Sequence, residues 1–139
     1  MSNAHRIFNL FNPIPSKVDE EMENELREFE TTPYYKIGMF TKILNNGNNF
    51  KTEIINFISK SDKDLDPENI KSAGDFIMYN RAYYWISQFD IDDKKWISNA
   101  REAKSNYIEE YINDSIRYFE SIEEYEKCAI LVKILNTIK

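Results

Sequence analysis

Apolar side chains recur along this chain at intervals of three and four, the period of an α-helix that buries one face. The first such stripe is Val18, Met22, Leu26 and Phe29. Ser16 ahead of it is a good N-cap, and Asp19 three residues on gives a start resembling a capping box, so a helix is predicted over 17–30. Its stripe is narrow and the rest of its surface is acidic, which places it on the outside of the fold. A second helix is predicted from Pro33, a residue favoured at the first helical position, with Thr32 as its cap. It carries Tyr34, Tyr35, Ile37, Met39, Phe40, Ile43 and Leu44. The run NNGNN at 45–49 reads as its end, with Gly47 in the left-handed conformation a helix stop often uses. A third helix is predicted over 50–60, turning Phe50, Ile54, Ile55, Phe57 and Ile58 inward. After the polar run SDKDLD, Asp66-Pro67-Glu68 is a strong start for a fourth.

The fourth helix, predicted over about 67–89, contains FIMYNRAYYWISQF at 76–89. Phe76, Tyr79, Tyr83 and Ile86 mark one face, Ile77, Tyr84 and Gln88 a second, and Met78, Ala82, Trp85 and Phe89 a third. With apolar groups on three faces, it is read as the central helix, enclosed by the others. Arg81 in its middle then needs a partner, because a buried charge is costly alone. Asp75, Asp90 or a glutamate of another helix would make a structural ion pair. The alternative is a ligand pocket lined by Tyr79, Arg81, Tyr83 and Tyr84.

A fifth helix is predicted from Asp92 or Asp93 to Glu120, with Trp96, Ala100, Ala103, Tyr107, Tyr111, Ile112, Ile116 and Phe119 inward. Ser121 and Glu124 read as a capping box opening a sixth helix over 122–138. Residues 93–138 thus form a C-terminal helical hairpin. The expected fold is all-α: a single-domain bundle of about six helices over 16–139, preceded by an extended arm over 1–15. In the arm, RIFNLFNPIP is held extended by Pro13 and Pro15. Phe8, Leu10, Phe11 and Ile14 suit it to strap across the domain or to dock on a partner. Ser2-Asn3-Ala4 has the look of a cloning scar and is set aside.

Length and composition agree with that picture. A chain of 139 residues fits one domain, and its twenty aromatic residues supply bulk that disordered chains lack. The net charge of −6 disfavours direct nucleic-acid binding. Seven carboxylates and one base, Arg27, lie between Asp19 and Glu30. The single cysteine, Cys128, rules out an intrachain disulfide and fits a reducing, cytoplasmic setting. No stretch is apolar enough for a membrane span or a signal peptide. The enrichment in Ile, Asn, Lys, Tyr and Phe suggests an AT-rich coding sequence, as in low-GC bacteria and their phages.

Candidate chemistry adds little. His5 is the sole histidine and lies beside the scar, so histidine triads and Cys/His zinc sites lack members. Three glycines cannot write a Walker loop or a dinucleotide fingerprint. The runs from Asp62 and Asp90 resemble calcium loops, but Pro67 and Lys95 stand where glycine is required, and Ala73 and Arg101 where glutamate is. Cys128 sits on an apolar helical face as an inert thiol. The expectation is a non-enzyme without cofactor or metal: a helical protein–protein interaction module that binds another protein, through the arm or the acidic face. A second possibility is a small acidic inhibitor or anti-defence protein, whose Glu20, Glu21, Glu23, Glu25, Glu28 and Glu30 mimic phosphates on a basic partner. A third is a ligand-binding bundle.

Overall fold

The computed structural model describes residues 17–61, 64 and 66–139. Among them the chain is all-α, with no strand. The helices are α1 (Lys17–Glu30), α2 (Pro33–Ser61), α3 (Pro67–Ile86), α4 (Lys94–Glu102), α5 (Ile108–Ser121) and α6 (Tyr125–Ile138), with a 3-10 turn at Ala103–Asn106 between α4 and α5. They fall into two compact units, α1 in the first and α2 to α6 in the second. The proposed arm with Phe8, Leu10, Phe11 and Ile14 lies outside the described residues.

In the first unit, α1 has the predicted bounds. Its stripe of Val18, Met22, Leu26 and Phe29 is exposed, as are its glutamates. Arg27 lies 3.7 Å from Glu23 one turn back, an exposed pair worth little on its own. The hydroxyls of Thr31 and Thr32 donate to the carbonyls of Glu28 and Phe29, both at 2.6 Å, closing the last turn.

In the second unit, α2 runs unbroken through NNGNN, so the predicted stop and the two separate helices give way to one element about 43 Å long. Gly47 is helical, since no glycine has a positive φ. It is small so that Met78 of α3 can press against the α2 backbone. Phe57 of the predicted inward set is exposed and Ile55 half-buried, while the side chains of Phe50, Ile54 and Ile58 lie outside the described residues. α2 and α3 are antiparallel: Tyr35 meets Trp85, Gly47 meets Met78, and Lys51 meets Asp75.

α3 begins as its sequence predicts. The Asp66 carboxylate accepts from the Glu68 N–H at 3.0 Å, ahead of Pro67. It ends at Ile86, three residues early, where the side chains of Ser87 and Gln88 both donate to the Tyr84 carbonyl. Asp93 caps α4 by accepting from the Lys95 N–H at 2.9 Å. The long helix predicted over 93–120 is broken at Tyr107, whose φ of 63° separates the 3-10 turn from α5. Ser121 ends α5 instead of capping α6, and its hydroxyl donates to the Tyr118 carbonyl. Glu123 takes φ 62°, and the N–H groups of Glu124 and Glu123 donate to the carbonyls of Phe119 and Glu120, at 2.8 and 3.1 Å. That is a Schellman stop with glutamate in the place that glycine usually fills.

The core joins Ile37, Phe40 and Leu44 of α2, Met78, Ala82 and Ile86 of α3, and Trp96 and Ala100 of α4 to Ile108, Ile112 and Phe119 of α5 and Leu131, Ile134, Leu135 and Ile138 of α6. Each fully buried aliphatic or aromatic side chain contributes roughly 1.5–3 kcal/mol relative to exposure. Ser115, buried among them, is satisfied by donating to the Tyr111 carbonyl at 2.8 Å. α3 is not the enclosed hub that its composition suggests. It buries one stripe, and Phe76, Ile77 and Tyr84 stay more than half exposed. Three apolar faces exceed what the neighbouring helices cover, and Ile77 and Tyr84 of the surplus line a groove.

Candidate docking groove

The groove runs along the α2–α3 seam and encloses about 1040 Å³. α2 supplies Met39, Ile43, Gly47 and Lys51, each four residues from the last and therefore on one helical face. α3 supplies Ile70, Ala73, Gly74, Ile77, Met78, Arg81, Tyr84 and Trp85 at the matching intervals of three and four, with Asp66 and Asn69 at its N-terminal end. From Met39 to Lys51 the α2 wall extends about 18 Å, three to four turns. Gly47 and Gly74 admit Met78 and the Lys51 stem, and exposed Ala73 leaves the α3 wall low between Ile70 and Ile77.

The two cations of the groove differ. The Lys51 ammonium is paired with the Asp75 carboxylate, and both side chains are largely buried. The lysine stem passes over Gly74, where a Cβ would lie 3.0 Å from Lys51 Cγ and 3.1 Å from Cδ. Arg81 is exposed and makes no hydrogen bond or ion pair with another described residue. The expected structural ion pair is therefore absent among the described residues. Asp75 is engaged by Lys51, and the Asp90 carboxylate accepts from the Asp92 N–H at 2.9 Å. The surroundings explain the difference: a guanidinium at the edge of a groove stays hydrated and needs no internal counter-charge.

The tyrosines expected to share a pocket with Arg81 are divided between two sides of α3. Tyr84 lines the groove beside Arg81, edge-on to Trp85 at 5.1 Å. Tyr79 and Tyr83 face the core. Tyr79 stacks on Tyr118 with ring centroids 4.3 Å apart, and Tyr83 meets Phe119 edge-on at 5.4 Å. Lys127 lies 5.2 and 5.0 Å above the rings of Tyr83 and Phe119, and its ammonium donates to Asn80 Oδ1 at 2.8 Å. Burial pushes the phenols of Tyr79, Tyr83 and Tyr118 upward. Asp114 and Asp75 add to it at Tyr79, Glu124 and Glu126 at Tyr83, and Asp75 at Tyr118. These rings are packing elements.

Cys128 is half-buried, and its thiol donates to the Ile116 carbonyl at 3.5 Å. Burial, and then Glu120, raise its pKa, which favours the unreactive thiol.

Sequence reasoning missed the α2 wall and Ile70, Ala73, Gly74 and Ile77. The readable signal was Gly47. A glycine within a sustained helical pattern marks close helix approach as readily as a stop. Chemically the groove offers a long apolar contact edged by one cation free of described partners, which suits an apolar body carrying a carboxylate. No protein-family model, curated protein or solved structure matches this chain.

Proposed function

We propose that this chain is a cytoplasmic, non-catalytic helical interaction module, an adaptor or assembly component, that docks a helix of another protein in the α2–α3 groove. The open apolar seam between two antiparallel helices carries this reading. Ridges at intervals of three and four on both walls are the complement of a third helix, and helix-in-groove binding uses such a surface. A small-molecule site fits less well, because such pockets hold roughly 300–1,000 Å³ and enclose most of their ligand. This one, at about 1040 Å³, is just above that range and is open along its side.

The test is site-specific photocrosslinking in the source cells, with the photoreactive residue at Ile77 in one chain and at exposed Lys133 of α6 in another. A discrete protein adduct is expected from position 77 and not from 133. The same adducts from both positions, or none from 77, would remove the groove as the docking surface.

The acidic-inhibitor reading draws on a separate observation, the exposed glutamates of α1. It requires binding to a basic partner that weakens steeply with salt. That binding would be lost when Glu20, Glu21, Glu25 and Glu28 are changed to Gln, and kept when Ile77 is changed to Asp.

A further inference from the structure

We infer that the helix this groove accepts is acidic: it carries a carboxylate that meets Arg81, and a large apolar anchor lies over Ala73, between Ile70 and Ile77. The inference rests on the docking function proposed above and specifies its partner.

The two cations define the charge the groove lacks. Lys51 is neutralised within the molecule by Asp75, whereas Arg81 is the cation on the groove edge for which no described residue supplies an anion. An apolar or basic helix laid along Ile77 and Tyr84 would strip water from the guanidinium and leave it unpaired, which is costly. A carboxylate at that position replaces the lost water with charge-assisted hydrogen bonds, and the planar guanidinium can make two of them in parallel. The rest of the seam specifies the anchor. Ala73, exposed and without bulk, leaves space for a Leu- or Phe-sized side chain flanked by Ile70 and Ile77, whereas Met78 fills the space at Gly47 and the Lys51 stem that at Gly74. Arg81 stands about two turns along α3 from Ala73, about 12 Å, so carboxylate and central anchor are separated by about two turns of the docking helix. The net charge of −6 gives no long-range steering toward an acidic helix, so the preference arises in the contact.

The experiment uses the full chain and a fluorescein-labelled amphipathic peptide of about 16 residues, with leucines at i, i+4 and i+7 and one charged position two turns from the central leucine. That position is Glu, Gln or Lys in three versions, and binding is followed by fluorescence polarisation. Arg81 and Ile77 are both exposed, so Arg81→Glu and Ile77→Asp leave the core intact, which circular dichroism verifies. The wild-type chain is expected to bind the Glu peptide about tenfold more tightly than the Lys peptide. Arg81→Glu is expected to reverse that order, and Ile77→Asp to abolish binding of both. Equal binding of all three peptides, insensitive to Arg81→Glu but lost in Ile77→Asp, overturns the acidic partner and leaves the docking groove standing. Binding of none overturns the groove itself. Two further results overturn the inference by naming another occupant: dodecanoate binding at Arg81 with no peptide binding, or a dimer in sedimentation that Ile77→Asp dissociates.

Discussion

Gly47 of α2 and Met78 of α3 are in such close contact that a methyl group on Gly47 would lie 2.7 Å from Met78 Cγ and closer still to its sulfur. The crossing of the two longest helices is therefore set by a missing side chain. Gly47→Ala should destabilise the fold by up to about 2 kcal/mol: overpacking costs roughly 1–3 kcal/mol, and the better helix propensity of alanine returns about 1. Gly38 lies nine residues earlier on the same helix, and a Cβ there meets nothing within 4 Å. Gly38→Ala should stabilise by roughly 0.5–1 kcal/mol. Urea midpoints measure both. Two changes of the same sign would show that the crossing does not depend on Gly47.

Tyr84 and Phe119 are both aromatic residues within helices, but they should respond very differently to truncation. Tyr84 is 62% exposed and Phe119 is 0%. Tyr84→Ala should change stability by no more than about 0.5 kcal/mol. Phe119→Ala should cost about 3–5 kcal/mol. A Tyr84→Ala loss above about 2 kcal/mol in chemical denaturation would mean that the ring is enclosed and the groove shallower than described.

Glu123 holds a left-handed conformation that an L-residue adopts only at a cost. Glu123→Gly should therefore raise stability by roughly 0.5–1 kcal/mol, read as a higher melting temperature. A decrease would show that the glutamate side chain contributes more than the backbone strain removes.

Alkaline pH should unfold the protein through Tyr79, Tyr83 and Tyr118. Their folded-state pKa values are raised above 10.0, chiefly by burial. Above pH 10 the unfolded chain gives up phenolic protons that the folded chain retains, so stability is intact below that pH and falls as pH rises through the folded values. Absorbance at the phenolate band and far-ultraviolet circular dichroism, followed together, should show part of the tyrosine titration coinciding with loss of helix. Complete tyrosine ionisation with the helix signal unchanged would contradict the burial of these three rings.

What the sequence disclosed follows a physical division. Starts set by local chemistry were legible: Asp66 before Pro67, Asp93 before Lys94, and the bounds of α1. Features set by tertiary contact were not. NNGNN carries every local mark of a helix stop, yet α2 continues because packing against α3 rewards continuity and Gly47 serves the contact. Tyr107 and Glu123 adopt left-handed backbone without the glycine that would announce it. The fold class was readable because periodicity reports burial on a helix. The site was not, because a sequence rich in apolar residues on three faces does not say which of them the rest of the chain leaves uncovered. Arg81 drew notice as a charge inside a helix read as enclosed, and its exposed place at the groove edge came only from the placement of Ile77, Tyr84 and Trp85 around it.

The uncovered seam also governs how the protein behaves in bulk. Apolar surface of this extent favours copies sticking together, and the mutual repulsion of molecules carrying −6 each opposes it. That protection vanishes near the isoelectric point of about 4.9. Mildly acidic buffers should therefore turn concentrated solutions cloudy while the helices themselves persist, and Ile77→Asp, which puts a charge on the seam, should keep them clearer.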